Sequence, residues 1–227
     1  MKFIIIGLGN FGASLSIKLM EDGHEVIGVD RSINKVNSLQ DKITHAICMD
    51  TTDEEAIQAL PLDDADYVII GIGEDTGASI LTTALLKKYC SKKIISRAIS
   101  DLHQTVLEAM GIEEILHPEA DTARRLASRF MIKGALSSFS LDDEFDIVEA
   151  EVPEQYVGMT IQQAKFREDH HVNIVTIIRK RRRRSVLGNW QNIQEVIGVV
   201  TPNTILEAHD ILVIFGKADD IEKLLNT

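Results

Sequence analysis

Apolar positions follow two rhythms along this chain. Short continuous runs at 3–6 (FIII), 26–29 (VIGV), 44–47 (THAI), 67–70 (YVII), 93–96 (KIIS) and 114–117 (EILH) alternate with stretches such as 13–20, 53–60 and 78–86 that carry apolar residues at helical spacing. A strand covered by helices on both faces reads as such a run, since neither face meets water. The βαβ order predicts a parallel sheet with right-handed crossovers. Helix starts agree: Thr52-x-x-Glu55 has capping-box form, Asp101 is placed to cap a helix over 102–109, and Pro118 sits where a first helical turn tolerates proline.

Beyond Pro118 the rhythm changes to a long helical stretch, 119–131, then Gly134 and a second short helix at 135–139, which together read as a bridge. The acidic cluster Asp142-Asp143-Glu144 precedes 146–151 (DIVEAE), which alternates like a half-buried strand. These changes predict a boundary near 140, with one domain over 1–140 and a smaller α+β module over 141–227. In the latter a capped short helix (Thr160-x-x-Gln163), a strand at 172–178, an extended hairpin, a strand at 211–215 and a helix at 218–225 are expected.

With 227 residues, 44% hydrophobic and 26% charged, the chain has the composition of a globular protein large enough for two small domains. No apolar run approaches the roughly 18 residues that span a bilayer, and the apolar start at 1–7 is too short for a signal peptide and reads as a first strand. Cys48 and Cys90 lie far apart without metal or redox spacing, so a reducing compartment fits best. The net charge of -11 disfavours general nucleic-acid binding. Residues 1–140 carry 14 basic and 20 acidic side chains and 141–227 carry 10 and 15, six of the ten being consecutive at Arg179–Arg184. That run reads as a solvated hairpin, with contact to anionic lipid headgroups or to an acidic partner face as the sharper alternative.

Gly7-Leu8-Gly9-Asn10-Phe11-Gly12 is a G-x-G-x-x-G between a predicted strand and helix, and Asp30 ends the next strand. Glycines allow a tight turn, close approach to a pyrophosphate and close helix packing, while the helix N-terminus favours anionic phosphates. In this context the motif points to a Rossmann-like doubly wound sheet binding a dinucleotide or other adenine nucleotide. Asp30 would accept from ribose hydroxyls and repel a 2′-phosphate, an exclusion that Arg31 weakens; its bland alternative is a helix cap. Ligands of such sheets sit at the carboxyl ends of the strands, which makes further candidates of Asp50 and Thr51 (adenine), Gly71-Ile72-Gly73 (backbone against the nucleoside) and Arg97 (phosphates). Glu119 follows His117-Pro118 and reads first as an acid favoured by a helix dipole.

No nucleophile elbow, P-loop, paired-carboxylate site or histidine metal spacing stands out, and the second region is thin for a substrate domain. A binding protein is favoured over a small NAD-dependent oxidoreductase, and a redox-sensing transcriptional regulator lacks a helix-turn-helix.

The runs GLGNFG at 7–12, GHEVIGVD at 23–30, THAICMDTTDE at 44–54, YVIIGIGEDTGASILTTALLKK at 67–88 and VLEAMGIEEILHPEAD at 106–121 resemble the TrkA/KtrA family, cytosolic regulatory subunits of bacterial potassium uptake systems. The resemblance spans the chain, with 1–140 similar to an RCK (regulator of K+ conductance) N-domain and 141–227 to an RCK C-domain. It implies a non-enzymatic sensor of ATP/ADP or NAD/NADH. Gly7, Gly9 and Gly12 would face phosphates, with Asp30 on the ribose, Asp50 and Thr51 on the adenine, Arg97 on phosphates in place of a family lysine, and Glu119 on Mg2+ or another divalent cation. Where the KtrA pattern reads GLGRFG this chain has Asn10, so a triphosphate loses a charge-assisted partner worth about 1.5–3 kcal/mol. The resemblance further implies homodimers bridged through 119–139 and assembled into an octameric ring. The ring would lie at the inner face of the cell membrane under a potassium-translocating subunit of TrkH/KtrB type, with cyclic di-AMP as a possible ligand of the C-domain.

Overall fold

The computed structural model describes residues 1–142, 144–184 and 190–226. Asp143 of the acidic cluster and the hairpin tip at 185–189 lie outside the described residues, as do the side chains of Arg182–Arg184 in the basic run. Packing divides the chain between Glu119 and Ala120.

In the first unit β1 (Lys2–Ile6), β2 (Glu25–Asp30), β3 (His45–Cys48), β4 (Tyr67–Ile70), β5 (Lys93–Arg97) and β6 (Glu114–Leu116) form one parallel sheet in the order β3-β2-β1-β4-β5-β6. The connecting helices are α1 (Asn10–Glu21), α2 (Ile33–Leu39), α3 (Glu54–Gln58), α4 (Thr76–Tyr89) and α5 (Asp101–Ala109), and α6 (Pro118–Met131) begins at the end of the unit. The continuous apolar runs have the predicted consequence. Ile4 and Ile6 enter one core with Ile57, Val68, Ile70, Leu86 and Leu107, while Phe3 and Ile5 enter another with Val26, Leu39, Ile69 and Ile95. Adjacent residues of one strand thus feed two layers, which is why these strands show no polar alternation.

Two helix starts differ from the sequence expectation. Asp53, not Thr52, caps α3, its carboxylate accepting the Glu55 N–H at 2.9 Å, and Ser100, not Asp101, caps α5, its hydroxyl accepting the His103 N–H. Both chosen caps precede the helix in extended backbone, the conformation from which a short side chain turns back onto the first free N–H groups.

The second unit starts at Ala120 and includes β7 (Ala135–Ser140), β8 (Phe145–Glu151), α7 (Ile161–Ala164), α8 (Phe166–His170), β9 (Asn173–Arg184), β10 (Trp190–Val196), β11 (Ile211–Lys217) and α9 (Ala218–Leu225). Its five strands form an antiparallel sheet, β10-β9-β11-β8-β7. Residues 135–139 are therefore strand rather than the short helix expected, and 120–140, assigned to the first region by sequence, pack with the second. Serine-rich ALSSFS has little helix propensity; Gly134, at φ +89°, lies between α6 and this segment, and after it Asp142, accepting the Glu144 and Phe145 N–H groups, turns the chain so that Phe139 pairs with Ile147 and Ser140 with Asp146. Thr160 and Gln163 do form the expected reciprocal capping box.

Three of the six consecutive cations are tied down. Arg179 pairs with Glu207 and with Asp210, Lys180 lies 3.4 Å from Glu151, and Arg181 lies 2.9 Å from Glu195. Among the described residues, no helix is long and apolar enough to cross a membrane.

Candidate nucleotide-binding site

The strand order reverses between β1 and β4, which opens a crevice at their carboxyl ends. The loop after β1 is shaped for it. Gly7 has φ +96° and its N–H donates to the Val29 carbonyl at 2.7 Å, and a Cβ there would meet the Ile72 nitrogen at 2.7 Å. The chain enters α1 at Asn10 with Gly9 as an extended cap that has no side chain, so the first N–H groups of the helix face the crevice.

Thirteen of the fourteen residues singled out by sequence line this one cleft: Gly7, Gly9, Asn10 and Phe11 from the loop, Asp30 and Arg31 after β2, Asp50 and Thr51 after β3, Gly71, Ile72 and Gly73 after β4, Arg97 at the end of β5, and Glu119 in α6. Gly12 does not. It packs beneath the loop, where a Cβ would collide with the Gly7 carbonyl oxygen, so its role is helix-to-strand approach rather than ligand contact.

Asp30 is 8% exposed, and its two oxygens are already in use. Oδ2 accepts the Leu8 N–H at 2.7 Å and Oδ1 the Ser32 N–H at 2.8 Å, while Lys35 Nζ lies 3.9 Å away. Each oxygen retains a second lone pair, so the carboxylate can hold the loop and still accept from a ribose hydroxyl. Ser32, not Asp30, occupies the cap position of α2.

Asp50 accepts from both the N–H and the hydroxyl of Thr52, at 3.0 and 2.7 Å. These bonds, with a smaller contribution from Arg31, hold its carboxyl below the usual carboxylate range. The Thr51 hydroxyl is buried against Thr82 at 2.9 Å, and the Thr82 hydroxyl also lies 3.2 Å from the Thr51 carbonyl. Thr82 thus anchors the β3–α3 loop to α4, while the neighbouring Thr83 hydroxyl donates back to the Ser79 carbonyl at 2.7 Å.

At the opposite end Arg97 pairs with Glu119, lies over Gly73, and has its Cζ 5.9 Å from the Phe11 ring centroid. Among the described residues no group of three or more His, Cys, Asp or Glu side chains converges as a metal site would.

The cleft also holds residues that the sequence did not single out. Lys35 of α2 lies 3.5 Å from Glu74, and Asp75, which caps α4 by accepting the Ala78 N–H, pairs with Arg31 at 3.3 Å across the mouth. Asp75 carried a signal, since an aspartate opening a helical stretch marks a cap. Lys35 carried none.

In the second unit a smaller concavity is lined by Ile161, Phe166, Arg167, Asn173, Ile174, Val200 and Pro202, among others. Arg167 donates through Nε and Nη2 to Asn173 Oδ1, at 3.0 and 2.6 Å.

Comparison with known proteins agrees with this division. Residues 3–118 match the TrkA-N domain and 147–227 the TrkA-C domain. The chain is 34% identical to the Ktr system potassium uptake protein C of Bacillus subtilis, over 98% of this chain and 95% of that protein. To the Ktr system potassium uptake protein A of the same organism it is 32% identical, over 99% and 96%. Among solved structures it is similar to the GsuK RCK domain at TM-score 0.61 and 18% identity, covering all of this chain and 48% of that one, so it spans about half the length of that solved chain. The NAD(P)-binding domain of an exopolyphosphatase-related protein from Archaeoglobus fulgidus matches 58% of this chain and 96% of that one, with TM-score 0.51 and 27% identity.

Proposed function

The chain belongs to the TrkA/KtrA family, carrying a TrkA-N domain followed by a TrkA-C domain on an RCK-like fold, and from that premise we propose that it is the adenine-nucleotide-sensing regulatory subunit of a Ktr-type potassium uptake system. Members of this family regulate rather than catalyse. The observation that carries the reading is the convergence, at one topological switch point, of the Gly7–Gly12 loop, the free end of α1, the Asp30 carboxylate and the Arg97 guanidinium. A nucleotide laid across it places phosphates at the α1 N-terminus, ribose at Asp30 and adenine toward Asp50. The likeness to an NAD(P)-binding domain supports a nucleoside-diphosphate-containing ligand, whether ATP/ADP or NAD/NADH.

Binding becomes regulation when two ligands bind two arrangements of an assembly unequally. In this reading 1–119 form the sensing domain and 120–227, beginning with the α6 segment, the C-terminal domain, and homodimers close into an octameric ring. The ring works from the cytoplasmic face on a potassium-translocating membrane subunit of TrkH/KtrB type. The basic run of β9 is the part suited to an anionic surface there, although Arg179, Lys180 and Arg181 are each paired with a carboxylate. A second ligand reading attaches to the concavity of the second unit, where Arg167 and Asn173 offer a cation and an amide to cyclic di-AMP beside the partly buried Ile161 and Val200.

Two measurements test the function. Calorimetric titration with ATP, ADP, NAD and NADH is expected to show saturable binding to at least one. Co-expression with a Ktr membrane subunit in a bacterium lacking potassium uptake is expected to restore growth at low potassium. Failure of every adenine nucleotide to bind at millimolar concentration overturns the sensing role, and failure to support uptake overturns the partner. For the second ligand, cyclic di-AMP binding that is absent, or unaffected by Arg167→Ala, removes that site.

A further inference from the structure

Arg97 is held on three sides. Its guanidinium lies over Gly73, where a Cβ would meet Cζ at 2.6 Å, it faces the Phe11 ring, and Nη2 is paired with Glu119. The Arg97 side chain is 16% exposed and that of Glu119 66%, while Arg97 Nε is buried without a hydrogen-bond partner. A planar, permanently charged group with five donors is therefore fixed at the phosphate end of the cleft, with donors left over.

The same pairing bears on the divalent cation that the family resemblance places on Glu119. Mg2+ at a nucleotide site takes one or two carboxylates together with phosphate oxygens and waters, but the one carboxylate offered here already carries a guanidinium. A second positive charge brought to that carboxylate is repelled by the first. The residues present do not fit a divalent ion.

We propose that Arg97 is itself the cation of this site: its guanidinium bridges the Glu119 carboxylate and the terminal phosphate oxygens of a bound nucleotide, so that ATP and ADP bind without a divalent metal. The inference rests on the nucleotide-binding reading above. The other cations of the cleft, Arg31 and Lys35, are paired with Asp75 and Glu74 on the Asp30 side, and Asn10 adds no charge, so Arg97 is the fixed charge facing the phosphates. Gly73 is required as the floor on which a planar group of this width lies.

The test is calorimetric titration of the full chain with AMP, ADP and ATP, once in EDTA and once in excess Mg2+, on the unaltered protein, Arg97→Lys and Glu119→Gln, with melting curves to show that each variant is folded. For the unaltered protein the ATP dissociation constants in EDTA and in Mg2+ are expected to agree within about threefold. Arg97→Lys, which replaces the fork by a point charge, is expected to weaken ATP in EDTA by about tenfold or more while leaving AMP within about threefold. Glu119→Gln is expected to keep ATP binding indifferent to Mg2+. A gain of about tenfold or more from Mg2+ in the unaltered protein that Glu119→Gln abolishes overturns the proposal and gives the site back to a divalent ion, with nucleotide binding intact. If AMP, ADP and ATP all fail to bind in both buffers, the nucleotide reading falls and this inference falls with it.

Discussion

The Asp30 carboxylate accepts the backbone N–H of Leu8 at 2.7 Å, so the residue that would hold a ribose also holds the glycine loop that would hold the phosphates. With its other oxygen on the Ser32 N–H, one buried side chain fixes the loop after β1 relative to the start of α2. Asp30→Asn keeps the volume but sets an amide NH2 against one of two N–H donors. Removing a partner from a buried donor costs about 1–3 kcal/mol. A lower melting temperature and nucleotide affinity reduced by about tenfold or more are expected, measured by thermal denaturation and calorimetry.

Two glycines of the same motif should respond in opposite ways. Gly12 has the Gly7 carbonyl oxygen where a Cβ would go, whereas Gly9 has nothing within 4 Å and ordinary extended backbone at φ -69°. Gly12→Ala is expected to lower stability by about 1–3 kcal/mol, as overpacking does, and to weaken every ligand as a consequence. Gly9→Ala is expected to leave the melting temperature within a degree or two of the unaltered protein, on the order of ±0.5 kcal/mol, yet to weaken nucleotide binding because the added methyl stands where phosphate approaches. Loss of binding without loss of stability in Gly9→Ala locates the phosphates at this loop.

His103 lies on α5, 1% exposed, with neither ring nitrogen hydrogen-bonded. Burial disfavours the imidazolium and lowers its pKa from 6.5. The unfolded chain therefore takes up the proton first as the pH falls. Stability is complete above the unfolded value, declines as the pH drops below 6.5, and stops declining once the folded state is also protonated. Denaturant titrations between pH 7.5 and about 5 are expected to show this loss, and His103→Leu is expected to flatten it.

The second unit has its own internal charge pair. Arg179 donates from Nε and Nη2 to the two oxygens of Asp210 at 2.8 and 2.7 Å, with the side chains 11% and 1% exposed, and Asp210 also accepts the Glu207 N–H at 2.8 Å. Asp210→Ala leaves a guanidinium short of its principal partner and is expected to cost about 3–5 kcal/mol by thermal or urea denaturation. Replacing both residues, as Arg179→Met with Asp210→Leu, is expected to recover much of that loss, since the penalty lies in the unpaired charge more than in the missing bridge.

How far the sequence reached can be argued from particular residues. Gly7, Gly9, Asp30 and Arg97 were legible because the parallel sheet brings successive strand ends to one edge, so spacing along the chain translates into proximity, whereas Glu119, just inside α6, was pointed to only by the family resemblance. Asp53 and Ser100 were missed as caps by a single residue, because neighbouring polar side chains offer the same chemistry and only backbone angle selects between them. Strand 135–140 was missed because a short serine-rich segment carries no clear period, and it becomes a strand only by pairing with β8.

The sequence by itself determined the two-layer burial of the parallel strands, the order of elements in the first unit, and the position of the cleft at the end of β1. Those follow from local periodicity and from glycines that permit close approach, and both are properties of neighbouring residues. Tertiary structure alone decided which partners the polar groups take: that Thr51 spends its hydroxyl on Thr82, that Asp30 holds Leu8, that Arg179 is buried on Asp210, and that Arg97 lies on Glu119. A charge or hydroxyl has no preferred partner along the chain, and its partner is settled only when folding removes water and leaves it one group within reach.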